Sequence, residues 1–167
     1  KVKLDIKNLK FKVKFYNTQI GSKNNLLDIK DLNSNISLRA VIKREFPILN
    51  IKAEVDNINI TKIINLTNTI KQNTASLILK QSVDDGQISG DLNFNFDKDG
   101  NIKDNFFIKG KINNFKFNLL NKYKLEQVDA SFNIKKNYYL LNILKASYLN
   151  INFSSSKIEF IGDKKEA

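Results

Sequence analysis

The sequence predicts a mostly β fold: a curved, twisted antiparallel sheet with one or two short helices around residues 60–85. Three observations carry the β part of this expectation. Apolar and polar residues alternate at a period of two along most of the chain, the polar partner is nearly always Lys, Asn or Asp, and the alternation lapses in only one long stretch. Successive strand side chains point to opposite faces, so such a pattern builds a sheet with one apolar and one wet face.

The first third reads as hairpins. Val2, Leu4 and Ile6 alternate in a first strand, and Leu9, Phe11, Val13 and Phe15 form its kinked continuation or a second strand. Residues 17 to 25, with Gly21 and Ser22 inside, have turn chemistry. Ile36, Leu38, Ala40 and Ile42 read as the next strand, and Leu49, Ile51, Ala53 and Val55 as another. Pro47 lies between them, where its missing N–H costs no ladder bond.

From residue 59 to residue 85 the period changes. Ile60, Ile63, Ile64 and Ile70 fit helical spacing, Thr61 is placed to cap, and Leu77, Ile78 and Leu79 sit together as no half-buried strand would place them. The expectation is one broken helix or two short ones, with the break at residues 72–74 and Gly86 as the stop.

Strands then return. Residues 88–96 run into Asp97-Lys98-Asp99-Gly100, a hairpin turn in which Asp99-Gly100 supplies positive φ. Phe106, Ile108, Gly110 and Ile112 occupy even positions but Phe115 and Phe117 odd ones, so a bulge is expected near Asn113 and Asn114. Strands follow over residues 125–134, 138–143 and 149–153, with a further one at Ile158 and Phe160; residues 162–167 read as a frayed tail.

At 167 residues the chain is long enough for one domain. It begins at Lys1 and contains no Met, which we read as a segment of a longer protein. No apolar run approaches the roughly 20 residues that span a bilayer, so an anchor or export signal is expected outside this segment.

Composition also bears on chemistry. His and Cys are absent, which removes the commonest general base, the soft metal ligands and the thiol nucleophile, so no catalytic residue, metal or cofactor is expected. Asp97-Lys98-Asp99-Gly100 has two spaced carboxylates but no closing Glu and reads as a turn, not a calcium loop. Four Asn-x-Ser/Thr triplets are what so Asn-rich a chain produces by chance. The +11 charge is almost all Lys, dispersed along the chain, whereas nucleic-acid readers favour Arg. It reads as a solvated face, with a basic nucleic-acid binder the alternative and attraction to anionic headgroups a weaker possibility.

The order of a short amphipathic helix, Asp84-Asp85-Gly86, the strand from Ile88 to Phe94, the turn Asp97 to Gly100, a strand crossed by Gly110, and the series Leu125, Val128, Ala130, Phe132 and Ile134 resembles the AsmA-like proteins of Gram-negative envelopes. That group includes TamB and YhdP, and the similarity is to the middle region of YhdP-type proteins. The resemblance covers residues 59–153; the first third matches only as generic strands. The chain departs from the pattern in having no Trp and only Pro47. The resemblance implies a β-groove open on its apolar side, held in the inner membrane through an anchor elsewhere, crossing the periplasm and carrying phospholipids toward the outer membrane. It transfers no catalytic residues, only Gly86, Asp99, Gly100 and Gly110 as structural turns and the apolar series Leu125, Val128, Ala130 and Phe132.

An area argument points to the same surface. Roughly eight to ten strands about 4.8 Å apart make an apolar face on the order of 1,000 Å², of which a helical segment of about 25 residues shades a third. Periodicity alone favours a sandwich or closed barrel that covers the face without help, and the resemblance reverses that preference. With the resemblance, Phe94, Phe96, Ile108, Ile112, Val128, Ala130, Phe132 and Ile151 are expected to line a trough for phospholipid acyl chains. Neighbouring β-repeats of the parent chain are expected at the sheet edges, and a scaffolding β-domain without lipid is the alternative function.

Overall fold

A computed structural model describes residues 1–22, 25–70, 74–119 and 122–162. Nine antiparallel strands form one meander in chain order, and the sheet does not close into a barrel. The strands are β1 (Val2–Asp5), β2 (Lys10–Ser22), β3 (Asn25–Ser37), β4 (Ile48–Asn59), β5 (Val83–Asn95), β6 (Phe107–Leu119), β7 (Tyr123–Lys135), β8 (Tyr138–Tyr148) and β9 (Ile151–Ile161). Helix α1 (Leu38–Lys43) joins β3 to β4, and α2 (Ile60–Ile70) and α3 (Thr74–Ser82) join β4 to β5. Every strand therefore pairs with its sequence neighbour, the arrangement that short hairpin connections favour.

Several local expectations are corrected. Val2–Asp5 and Lys10–Ser22 are two strands, separated by a turn in which Asn8 donates from its backbone and side chain to Asp5. Residues 17–25 are not a long turn: β2 and β3 pair as far as Ser22 and Asn25, and the connection falls on residues 23–24, outside the described residues. The strand expected at Ile36–Ile42 ends at Ser37, whose Oγ accepts from the Ala40 N–H and caps α1; Arg44 closes it with φ 58°. Leu38, Val41 and Ile42 carry i, i+3, i+4 spacing beneath the alternation, and the cap selects the helical reading.

Asn59, not Thr61, caps α2, since its Oδ1 accepts from the Thr61 N–H at 2.9 Å and the Thr61 hydroxyl at 2.6 Å. The helical segment is two helices, as one of the expected alternatives has it; of the break expected at residues 72–74, Thr74 begins α3 and residues 72–73 lie outside the described residues. The helix stops at Ser82, so Gly86 is no stop but lies within β5 with φ 150°. Gly110 likewise is no turn: it sits in mid-strand opposite Gly90. The last two expected strands are one, β9, with Leu149 and Asn150 both left-handed in the turn before it. Residues 163–167, the expected tail, lie outside the described residues.

Two expectations hold in detail. At the turn, Asp97 Oδ1 accepts from the backbone N–H groups of Asp99 and Asn101, each at 2.9 Å, and Gly100 takes φ 87°. Hydrogen bonds from the Asn101 side chain and then its backbone hold the Asp97 carboxyl below the usual carboxylate range, which is turn chemistry. In β6 the register shifts between Ile112 and Phe115, with Asn114 at φ 49°, so both aromatic residues stay on the apolar face.

That bulge is one of a series. Asn57 in β4, Gly86 in β5, Asn114 in β6 and Gln127 in β7 all have positive φ where their ladders shift register, and Ser155 in β9 adds a positive φ without a shift, so together they mark a crease across the sheet that skips β8. Neighbouring side chains hold it: the Asn57 N–H donates to Ser89 Oγ, the Gly86 N–H to Asp85 Oδ1 and the Asn114 N–H to Asp129 Oδ1, each at 2.8 Å. Bulges bend and further twist the strands that carry them, so the crease shapes the sheet while keeping apolar residues on one side.

Candidate functional site

The strand registers assemble the apolar face row by row, because directly opposed residues in an antiparallel ladder share a face. One row runs Phe15, Leu32, Ala53, Leu92, Ile108, Ile134, Tyr139, Phe160, from β2 to β9. Seven strand spacings make it about 34 Å wide. The next row is Val55, Gly90, Gly110, Phe132, Leu141, Ile158, and the one beyond is Ile88, Ile112, Ala130, Ile143, Ser156.

Little covers these rows. Helix α2 packs on β3, β4 and β5, and α3 on β5 and β6. Ile63 of α2 joins a cluster around Ile29, Ala53 and Ile58, while Leu77, Ile78 and Leu79 of α3 remain exposed. A second cluster, Val128, Ala130 and Ala146, has the sheet residues Phe115, Leu125, Leu141 and Ile143 packed against it. Among the described residues nine apolar side chains are buried, four of them alanines, and no large side chain falls below 2% exposure. A closed sandwich or barrel of this length would hold fully buried Leu, Ile and Phe.

Total surface gives the same answer. The chain exposes 11949 Å², against about 8,400 Å² for a compact monomer of its mass. An excess of this sign is what a single open sheet leaves by exposing both of its faces.

The expected lining residues all lie on this face, in three different situations. Phe94, Ile108, Ile112 and Phe132 are half-buried and open to the trough; the Phe94 ring sits 6.1 Å from that of Phe106. Val128 and Ala130 are buried under their neighbours, so they form the floor and not the contact surface. Phe96 is at one end, its ring 5.5 Å from Phe46, and Ile151 is on the edge strand, 59% exposed. The expected set omits Leu32, Leu92, Ile134, Leu141 and Ile143, which the ladders place between its members; the alternation contains them, but only register shows they are neighbours.

Gly90 and Gly110 face each other across the β5–β6 ladder with no room for side chains. A Cβ on Gly110 would lie 2.3 Å from the Ser89 carbonyl oxygen and 2.8 Å from Phe132 Cζ, and one on Gly90 would lie 2.3 Å from the Lys109 carbonyl oxygen. The Phe132 ring thus fills the space that the missing side chains leave.

The opposite face is wet. Its central row is Asp31, Glu54, Asp91, Lys109, Asn133, Leu140, Glu159. Lys109 pairs with Asp91 at 3.4 Å, Lys30 with Glu54 at 2.5 Å and Lys145 with Asp129 at 3.1 Å. A shallow depression of about 580 Å³ crosses this face, with Lys30, Glu54, Asp91, Lys109 and Lys111 among its lining. Lys30, Lys109 and Lys111 stand against Glu54, Asp56 and Asp91 in its lining, so the depression carries no net charge. Among the described residues no group of three or more acidic side chains is placed to hold a metal ion, and no helix is long and apolar enough to cross a membrane.

No family model matches the chain, and no match is found among curated proteins or solved structures.

Proposed function

We propose that this chain is a non-enzymatic segment of an AsmA-like lipid conduit, in which phospholipid acyl chains lie along the apolar trough. The single observation that carries the reading is the uncovered apolar face, with no large side chain fully buried among the described residues. An acyl chain laid against Phe94, Leu92, Ile108, Phe132 and Ile134 would gain about 0.8 kcal/mol for each methylene removed from water. Headgroups would stay in solvent at the open side, so movement along the trough breaks no specific hydrogen bond. In this reading the parent protein is anchored in the inner membrane, the segment stands in the periplasm, and neighbouring β-repeats continue the sheet beyond β1, whose four residues leave the outer edge of β2 from Phe15 to Ile20 uncapped. No nucleic acid partner is proposed, because the lysines are dispersed over the wet face and several are ion-paired.

The test is lipid extraction and mass spectrometry of the chain purified without detergent. Diacyl phospholipid in stoichiometric range is the expected result; protein that carries none, and takes up none from phospholipid vesicles, refutes the reading. A second reading, a scaffolding β-domain without lipid, draws on the exposed edge strands β1 and β9. It predicts that a charge placed in the trough leaves the function of the parent protein intact wherever the fold survives.

A further inference from the structure

The edge strand β9 has an internal symmetry that fits a second copy of itself. Every residue from Ile151 to Ile161 is exposed, and its outer edge has no strand partner among the described residues. Exposed, unprotected strand edges pair with other strands unless Pro, a bulge or inward charge prevents it. Here there is no Pro, and the one irregularity, Ser155 at φ 57°, falls at the centre.

That central position matters. Read outward from the Ser155–Ser156 bond, the strand runs Ser154, Phe153, Asn152, Ile151 one way and Lys157, Ile158, Glu159, Phe160 the other, a palindrome of polar and apolar residues. In a regular strand, residues equidistant from a bond lie on opposite faces, so a two-fold axis perpendicular to the sheet could not pass through it. The crease removes that obstacle. Phe153 opposes Ala146, while Ser156 and Ile158 oppose Ile143 and Leu141, and all three β8 residues belong to the one apolar cluster. Phe153 and Ile158 therefore share the apolar face despite their odd spacing.

We propose that two copies of this chain associate by antiparallel pairing of β9 with β9 about the Ser155–Ser156 bond. Ile151 then opposes Phe160 of the second copy, Phe153 opposes Ile158, Ser154 opposes Lys157 and Asn152 opposes Glu159. In these four pairs each apolar residue meets an apolar one and no like charges meet, so the apolar face continues across both copies from Ile151 to Phe160. A strand about 37 Å long hides on the order of 400 Å² per chain, half of a standard interface, so the dissociation constant is on the order of 100 µM. The pairing rests on the fold alone and not on the lipid reading.

Sedimentation velocity from about 5 to about 500 µM tests it, with a dimer expected to dominate at the upper end. S154K places two lysines side by side at two symmetric points and weakens association about five-fold, while S154E strengthens it. The chain has no Cys, so oxidation of the S154C/K157C variant gives a covalent dimer, and the out-of-register pair N152C/K157C gives much less. A chain that stays monomeric at the highest concentration, leaving the edge to a neighbouring repeat or another partner, overturns the proposal. So does equal crosslinking by both cysteine pairs.

Discussion

Replacing Gly110 by Ala probes the close contact of β5 with β6 at the Gly90–Gly110 pair. The new Cβ would stand 2.3 Å from the Ser89 carbonyl oxygen, about 1 Å inside the closest ordinary carbon–oxygen contact. Relief requires β5 and β6 to separate locally, which stretches the ladder bonds on either side of Gly90 and Gly110. Overpacking of this kind costs about 3 kcal/mol at its upper range. Restricting the glycine backbone in the unfolded chain returns about 1 kcal/mol, leaving a net loss of about 2 kcal/mol. In urea unfolding followed by far-ultraviolet circular dichroism, that is a midpoint lower by about 1 M at unchanged slope. The second close contact, Phe132 Cζ at 2.8 Å, separates the causes. Adding F132L frees the ring's space but leaves the carbonyl in place, so the double variant stays destabilised. An unchanged midpoint in G110A, or full recovery in G110A/F132L, refutes the backbone-approach argument.

Three further outcomes follow from the geometry. Ile108→Asp places a charge in the middle of the widest apolar row and should reduce co-purifying phospholipid at least about ten-fold, whereas K111Q on the wet face should not change it; equal lipid in both, by extraction and mass spectrometry, counts against the trough. Asp129 accepts the Asn114 N–H at the crease, a bond that with Lys145 holds its carboxyl below the usual range against the opposing effect of burial. Its folded value lies below its unfolded one, so the stabilisation is present above about pH 4 and is lost as pH falls through the folded value. D129A should cost about 1–2 kcal/mol at neutral pH and flatten the acid limb of a stability–pH profile; an unaltered acid limb would show that the bond contributes nothing. N59A removes the acceptor that caps α2 and should cost about 1 kcal/mol by urea unfolding, while T61A, which keeps that acceptor and the Thr61 N–H, should cost less.

Much of the local structure was legible because it depends on period. Alternation marked most strands, the parity change between Ile112 and Phe115 marked the bulge at Asn114, and Asp99-Gly100 marked its turn. The misreadings share a cause: a short segment carried two patterns and a side chain decided between them. Ser37 turned Leu38–Lys43 into a helix, and Ser155 let β9 run through what read as two strands. Gly86 and Gly110 read as punctuation because a lone glycine in sequence does not say whether it turns the chain or lets another strand approach.

By itself, then, the sequence determined that the chain makes a two-faced antiparallel sheet interrupted by helices, since both follow from side-chain periodicity over a few residues. Only the tertiary structure decided that the sheet stays open, that β5 and β6 close on each other at Gly90 and Gly110, and that the bulges line up into one crease. Those features depend on which residues face one another across strands. Register is set by the summed packing of whole ladders, and no single strand contains it.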